Sequence, residues 1–309
     1  MAACIDVIKI KAAIRQRQHA AGLLRPISIP VNRAGIDHQL AINGNTHGVM
    51  GVSQNDHISL NSLRDHLQQR ERILTALLEL MASEKWFERR GDDYHLLPEG
   101  HRVKTYLADR MANVLAPLQS LIQQTDVQRL EALLAQIINY ALDSKTPPGC
   151  WCLEHSRRRA PADSSPSIHK IFQYCADLNA FRDDAHMAAW RPYGVSGAAW
   201  EAFNYVCSGQ AANADELFDQ LAYRGYSREE YAQALQTLAS HGWVAAANEN
   251  VKVTDEGRAI SAQVERVTDR YFYAPWLQLS ETELDDLNRL FEQLDLELKA
   301  LEKAQQESS

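Results

Sequence analysis

The chain has 309 residues, 45% of them hydrophobic and 23% charged, which is typical of a globular protein with about two domains. The formal net charge of −8 excludes a protein that is basic throughout, although a local basic patch on an acidic body can still bind nucleic acid. No apolar run approaches the ~18 residues of a membrane span, so no membrane partner is expected.

The N-terminus lacks the pattern of a secretory signal, because Asp6, Lys9 and Lys11 interrupt any apolar core. Five cysteines, an odd number, without such a signal indicate reduced thiols. The sequence therefore predicts a cytoplasmic protein. Residues 1–22 have the pattern of an amphipathic helix, whose basic side chains either form a solvated face or contact phosphate.

Residues 23–57 depart from helical periodicity. Prolines and glycines punctuate this stretch, and glycines are costly inside a helix, so we predict an irregular segment within a first domain of residues 1–143. Its histidines match no metal-binding spacing: His38, His47 and His57.

A helix–turn–helix is predicted next, with Ser59–Arg70 as its first helix and Glu71–Lys85 in the recognition position. A short wing, Glu88–Asp93, follows. The basic residues of these elements are the predicted DNA contacts of the first module: Arg70, Arg72, Arg89 and Arg90. Two adjacent acids, Asp92 and Asp93, disfavour phosphate contact. Outer helices are predicted over residues 96–121 and 126–142.

Residues 144–167 are predicted to be an extended linker, because four prolines and several serines interrupt them. Cys150, Cys152 and His155 offer three zinc ligands, with Cys175 or His169 nearest as a fourth. Their spacing is not a common zinc-finger pattern, so no metal and no cofactor are predicted. The basic run of residues 157–159 is either a solvated stretch or an arm on DNA.

The second domain, residues 168–309, begins with two helical runs, 169–190 and 196–207. The first run contains Asp183, Asp184 and His186. Ion pairs between the two halves explain these charges more simply than a general base does, because no nucleophile or phosphate-binding loop accompanies them. The sequence therefore predicts that the protein is not an enzyme, although this helical face is where catalysis or small-molecule binding would have to lie.

A second helix–turn–helix follows. Asn213 or Asp215 can cap a short helix, residues 224–226 break it, and Ser227 caps the next helix with Glu230 at capping-box spacing. That helix ends at Gly242. Short strand-like runs, 243–244 and 251–253, then flank a turn, and another helix starts near residue 254. This order is that of a winged helix–turn–helix.

The two modules repeat one another at a fixed offset. Trp243 follows Trp86 by 157 residues, and Gly257 follows Gly100 by the same number. Further matches at this offset include Leu78 with Leu235, Ala82 with Ala239, Ser83 with Ser240, and Glu99 with Glu256. A fixed long period of this kind indicates two copies of one module in tandem.

The element order, with "L..GW" before the wing and "T.EG" after it, resembles the multiple-antibiotic-resistance (MarR-type) regulators. The resemblance implies that the long outer helices form a dimer interface, here within one chain as a pseudo-dimer. It also implies a small aromatic or oxidant effector. Aromatic residues that could line such a pocket are Trp190, Trp200, Tyr271, Tyr273 and Trp276, although a core cluster between helices is the simpler explanation.

The second module offers fewer basic residues than the first. Its predicted DNA contacts are Arg224, Arg228 and Lys252, its recognition-position helix begins with two glutamates, and its wing carries no arginine. The sequence therefore favours the first module as the DNA reader.

These observations predict a mainly α fold with small β-hairpin wings, in which two tandem winged helix–turn–helix modules form an intramolecular pseudo-dimer. The predicted function is a MarR-like transcriptional regulator whose partners are double-stranded DNA and a small-molecule effector. The alternative is a scaffold protein that uses its winged helices to dock a protein partner.

Overall fold

The computed structural model describes residues 57–59, 71–120 and 122–307. The predicted N-terminal helix, all but the last residue of the irregular segment 23–57, and residues 60–70 of the predicted first helix lie outside this range. Arg70 and the histidines at 38 and 47 therefore lie outside it as well. The described chain is mainly helical, with two small antiparallel sheets.

The described part of the first half contains one short sheet and three helices. In chain order its elements are β1 (His57–Ser59), α1 (Glu71–Ser83), β2 (Phe87–Arg90), β3 (Asp93–Leu96), α2 (Pro98–Leu115), a 3-10 turn (Ala116–Ser120) and α3 (Gln124–Asp143). β2 and β3 form the predicted wing, with Arg90 opposite Asp93. β1 adds a third strand, with His57 opposite His95. The sequence predicted a helix from Ser59, which instead ends this strand.

The predicted linker contains a helix, α4 (Trp151–Arg157), rather than being extended throughout. Cys152 and Leu153 on α4 are buried, and both donate backbone N–H bonds of 2.8 Å to the Asp184 carboxylate. A carboxylate at a helix N-terminus satisfies backbone donors that would otherwise lack partners. This long-range cap explains why α4 forms in a proline-rich segment.

The second half is helical apart from its wing. Its elements are α5 (Ser167–Trp190), a 3-10 turn (Arg191–Tyr193), α6 (Gly197–Cys207), α7 (Ala214–Leu221), a 3-10 turn (Ala222–Arg224), α8 (Arg228–Ser240), β4 (Val244–Ala247), β5 (Asn250–Val253), α9 (Asp255–Tyr273), a 3-10 turn (Pro275–Gln278) and α10 (Glu281–Glu307). Among the described helices, none is both long and apolar enough to cross a membrane.

Two hydrophobic clusters can be traced among the described residues. The central cluster joins α3, α5, the end of α9 and α10, and its fully buried members include Leu130, Leu134, Phe181, Leu287 and Leu290. The second cluster lies under the second helix–turn–helix and includes Trp200, Phe203, Leu217, Leu238 and Trp243. The central cluster holds the outer helices together, and the second cluster gives α8 a fixed support.

Candidate nucleic-acid interface

The second helix–turn–helix is built by matched local signals. Asn213 caps α7 by accepting from Glu216 N, and α7 buries Leu217 and Leu221. Gly225 ends the following 3-10 turn at φ 79°, a left-handed conformation that glycine adopts without a steric cost. The chain then enters α8 through an extended Ser227.

A complete capping box starts α8. The Ser227 hydroxyl accepts from Glu230 N at 3.2 Å, and the Glu230 carboxylate accepts from Ser227 N at 2.8 Å. The apolar face of α8 is then buried in the second cluster, through Tyr231, Ala234, Leu235 and Leu238. The capping box therefore fixes where α8 begins, and the buried apolar face fixes how the helix is rotated about its own axis.

The wing follows through a close backbone contact. Trp243 N donates to Leu238 O at 3.0 Å, and Thr254 N donates to Trp243 O at 3.0 Å. A Cβ at Gly257 would lie 2.1 Å from Trp243 O, so only glycine fits where α9 crosses the wing. β4 and β5 are antiparallel: Val244 lies opposite Val253 and Ala247 lies opposite Asn250, which leaves a turn of two residues between the strands.

One side of α8 faces outward. At about 100° per residue, Glu229, Gln233, Gln236 and Ser240 lie opposite the buried face, and all four are exposed. We call these four residues the α8 outer row. Thr237 lies beside the row and is half-buried. Apart from Glu229, the row consists of uncharged side chains that can donate and accept hydrogen bonds.

The three basic residues predicted for the second module differ in their surroundings. Arg224 is largely buried, and its Nε and Nη2 both donate to Glu201 Oε1, at 3.0 and 2.7 Å. Arg228 is half-exposed, lies over the Phe218 ring, and pairs with Asp215 and Asp219. Lys252 is exposed on β5. Arg224 therefore supports the fold, and Arg228 and Lys252 reach the surface.

Arg72 of the first module contacts the second helix–turn–helix. Its guanidinium donates through both Nη atoms to the Glu230 carboxylate, donates to Gly225 O at 2.8 Å, and lies 4.4 Å from the centre of the Tyr226 ring. The hydrogen bonds from Arg72 and from Ser227 N lower the pKa of Glu230. We call this set of contacts the Arg72 clasp. The sequence did not predict it.

The two arginines of the first wing pair with nearby acids. Arg89 Nη1 donates to Glu79 on α1 at 2.6 Å, and Tyr94 donates to the same carboxylate. Arg90 pairs with Glu88 at 2.6 Å. Exposed pairs of this kind contribute at most about 1 kcal/mol each, so they do not prevent either arginine from contacting phosphate.

The five aromatic residues predicted to line an effector pocket divide between the two clusters. Trp190 and Trp200 stack in the second cluster, with ring centres 5.7 Å apart. Trp276 is buried in the central cluster, and Tyr271 and Tyr273 pack against that cluster. The structure therefore groups these residues in two sets, and the core explanation accounts for both sets.

The acidic and histidine residues of α5 also point to different neighbours. Asp184 caps α4, and burial raises its pKa to about 6, because the two backbone N–H bonds only partly offset the loss of water. His186 Nε2 accepts from Trp200 Nε1 at 3.0 Å, and its Nδ1 lies 3.3 Å from Thr268 Oγ1. Desolvation lowers the pKa of His186. These contacts are structural ones within the protein.

The linker thiols show no arrangement for a metal. Cys150 donates to Pro147 O at 3.4 Å, and His155 stacks on Trp151 with ring centres 4.4 Å apart. Within the described ranges, no group of three or more His, Cys, Asp or Glu side chains could hold a metal ion. Arg157 of the basic run pairs with the fully buried Asp177 at 2.7 Å.

The α8 outer row was not predicted from the sequence, because the predicted DNA contacts were chosen among basic residues. The signal was present: on a helix whose apolar positions are 231, 234, 235 and 238, the residues at 229, 233, 236 and 240 must point away from the core. After Glu229, these positions carry two amides and a hydroxyl, which can read base edges.

Comparison with known proteins identifies the family. A model described as the Helix-turn-helix family matches residues 95–302, from β3 to the C-terminal part of α10, which is more than half of the chain. No curated protein and no solved structure gives a significant match. The matched range contains the complete second helix–turn–helix, its wing and the helices that support them, and the chain belongs to the Helix-turn-helix family.

Proposed function

We propose that the chain is a transcription regulator that binds double-stranded DNA through residues 214–253. The observation that carries the proposal is the placement of α8. This helix follows a glycine turn, precedes a two-stranded wing, buries one face in the second cluster and exposes the opposite side. The same arrangement lets a recognition helix enter the major groove while the wing reaches the backbone.

We also propose that the chain is a MarR-like pseudo-dimer of two tandem modules. The element bounds support a duplication, because adding 157 to α1 (Glu71–Ser83) gives α8 (Arg228–Ser240), and adding 157 to β2 and β3 gives β4 and β5. The outer helices α3 and α10 correspond at the same offset, and both contribute to the central cluster. This packing is what the resemblance implies for a dimer interface within one chain.

Backbone details around the two wings support the duplication as well. Trp86 N donates to Met81 O at 2.9 Å, and Leu97 N donates to Trp86 O at 2.8 Å, as Trp243 does with its own neighbours. Gly100 meets Trp86 O as Gly257 meets Trp243 O, with a hypothetical Cβ 2.3 Å away. Lys85 and Gly242, also 157 apart, both have positive φ.

A response to a small aromatic effector stays a prediction from the resemblance. The five aromatic residues considered for it lie in two separate clusters, so no one pocket wall supports that part of the hypothesis.

Docking of a protein partner is the alternative function, and one observation favours it. Every described arginine predicted to contact DNA pairs with a carboxylate: Arg72, Arg89, Arg90, Arg224 and Arg228. Each of these five arginines thus already has an acidic neighbour, and the net charge of −8 adds no general attraction to phosphate.

The test is binding of the full chain to a mixed-sequence duplex library at about 50 and 200 mM salt. We expect selective binding that weakens with salt, and that weakens in Lys252→Ala but not in Lys145→Ala. Lys145 is an exposed lysine outside both wings and controls for the loss of one charge. Failure to bind any duplex at the lower salt would overturn the DNA proposal in favour of protein docking.

A further inference from the structure

The outward rows of α1 and α8 are chemically different. On α1 the positions that correspond to the α8 outer row are Arg72, Ala76, Glu79 and Ser83, all of which are exposed. Arg72 is held in the clasp, and Glu79 binds Arg89 and Tyr94. Two of the four residues on α1 are therefore engaged with the protein itself, and a third, Ala76, has no polar group.

The α8 outer row retains base-reading chemistry. Gln233 and Gln236 carry amides that can donate to adenine N7 and accept from adenine N6 at the same time. The Ser240 hydroxyl donates locally to Thr237 O at 2.7 Å and keeps its acceptor lone pairs for a base edge. No carboxylate lies in the row after Glu229 at the helix start, so the middle and end of α8 can approach a groove without charge repulsion.

The Arg72 clasp shows that the two helices begin close to each other. Arg72 is the second residue of α1, and Glu230 is the third residue of α8. An arginine and a glutamate joined at their tips bring the two helix starts within roughly 15 Å of each other. Recognition helices contact base edges with their N-terminal residues, and two that read successive major grooves on one face of DNA place those residues about 34 Å apart. With the clasp closed, α1 and α8 cannot both read an inverted repeat.

The clasp does not cover the α8 outer row. Glu230 lies about 120° around the helix from Gln236, on the flank between the buried face and the row. Gly225 and Tyr226, the other clasp contacts, precede α8. With the clasp formed, α1 cannot read the second half of an inverted repeat while α8 reads the first, and the α8 outer row stays exposed.

We propose that the protein reads a single, non-palindromic DNA site through α8 alone, with Gln233 and Gln236 contacting adenine in the major groove. The proposal rests on the proposed DNA-binding function and assigns the reading to the second module, whereas the basic residues of the sequence favoured the first. The first module acts as a fixed neighbour that holds the turn before α8 through Arg72.

The test is selection of binding sites by the full chain from a randomised duplex library, followed by affinity measurement on the selected site. We expect one short motif that contains adenine and lacks inverted symmetry. Gln236→Ala should lose about tenfold or more of the preference for adenine at one position, while binding of the substituted site changes little. Two motifs in inverted orientation, with centres about 10 base pairs apart, would overturn the proposal.

A matched pair of serines separates the two helices. Ser83 and Ser240 occupy corresponding exposed positions, and each donates to the backbone carbonyl three residues earlier at 2.7 Å. Ser240→Glu should weaken binding of the selected site by tenfold or more, because it places a carboxylate in the groove, and Ser83→Glu should not. Equal losses in both variants would overturn single-helix reading while leaving DNA binding intact. No binding by the unmodified chain would instead overturn the proposed function itself, and this inference with it.

Discussion

Arg129 on α3 and Asp286 on α10 are 157 residues apart and joined to each other, with Arg129 Nε donating to Asp286 Oδ2 at 3.3 Å. If the two halves derive from one module, these residues occupy the same position in each copy. Two identical side chains would repel one another here, whereas an arginine and an aspartate attract. The pair thus favours association of the two different halves within one chain.

The first prediction concerns this pair. Asp286→Arg should destabilise the protein by about 1 kcal/mol, because it places two arginines together next to Arg289. The double variant Arg129→Asp/Asp286→Arg should recover part of the loss. A double-mutant cycle by urea denaturation measures the coupling, which we expect at about 0.2–1 kcal/mol because both side chains are partly exposed. A coupling energy of zero would show that the interaction between Arg129 and Asp286 does not contribute to stability.

The second prediction concerns the close contact between α9 and the wing. Gly257→Ala should destabilise the second module by about 1–3 kcal/mol, because the new Cβ would lie 2.1 Å from Trp243 O and 2.9 Å from Val253 Cγ2. Gly100→Ala meets the corresponding carbonyl at 2.3 Å and should have a similar cost. Thermal unfolding followed by circular dichroism measures both variants. Unchanged stability in both would contradict the described packing.

The third prediction separates a structural arginine from a surface lysine. Arg224→Ala leaves the buried Glu201 carboxylate without its cation and should cost about 3–5 kcal/mol of stability. Replacing both residues by Leu should cost less, because no unpaired charge remains. Chemical denaturation gives both free energies.

Lys252→Ala is the complementary variant. It should leave stability within about 0.5 kcal/mol, because Lys252 is exposed. It should also make the salt dependence of DNA binding shallower by about one unit of slope in log K against log salt. A large loss of stability in Lys252→Ala would contradict its placement as a surface residue, and no loss in Arg224→Ala would contradict a structural role for Arg224.

The fourth prediction concerns pH. Burial raises the pKa of Asp184 to about 6, so the native state binds this proton more tightly than the unfolded chain does. The contribution of Asp184 to stability is therefore greatest below its unfolded pKa of about 4, and it falls as the pH rises towards 6. Above that window the penalty for the buried charge is constant.

Asp184→Asn tests this dependence. The amide stays uncharged, so the difference in unfolding free energy between the variant and the original chain should change between about pH 4 and pH 6 and level off above that range. Asp183→Asn, at an exposed neighbouring position, is the control and should show a smaller change, because the charge of Asp183 contributes less than burial does to the raised pKa of Asp184. A difference that does not vary with pH would show that Asp184 titrates normally.

Local signals in the sequence were sufficient to predict where the helices of the second helix–turn–helix begin and end. Ser227 with Glu230, Gly225 and Gly242 marked the helix ends, and the structure has α8 from Arg228 to Ser240 with a complete capping box. Such signals work because a cap or a left-handed glycine acts within a few residues of itself. The strand β1 and the helix α4 were missed, because each depends on a partner far along the chain.

The candidate site was predicted only in part. The sequence correctly indicated a helix–turn–helix with wings. The DNA contacts were predicted from positive charge. Charge alone did not distinguish Arg224, which is largely buried against Glu201, from Lys252, which is exposed. It also did not reveal the α8 outer row, whose members are polar and uncharged.

The sequence by itself determined the elements of the second helix–turn–helix and the matches at an offset of 157 residues, because helix caps, turns and apolar periodicity are local properties of the chain. Only the tertiary structure decided how the two modules meet. The Arg72 clasp joins residues 158 positions apart, and Asp184 caps a helix about 30 residues away. Such contacts depend on the packing of several helices at once, and no spacing along the chain encodes them.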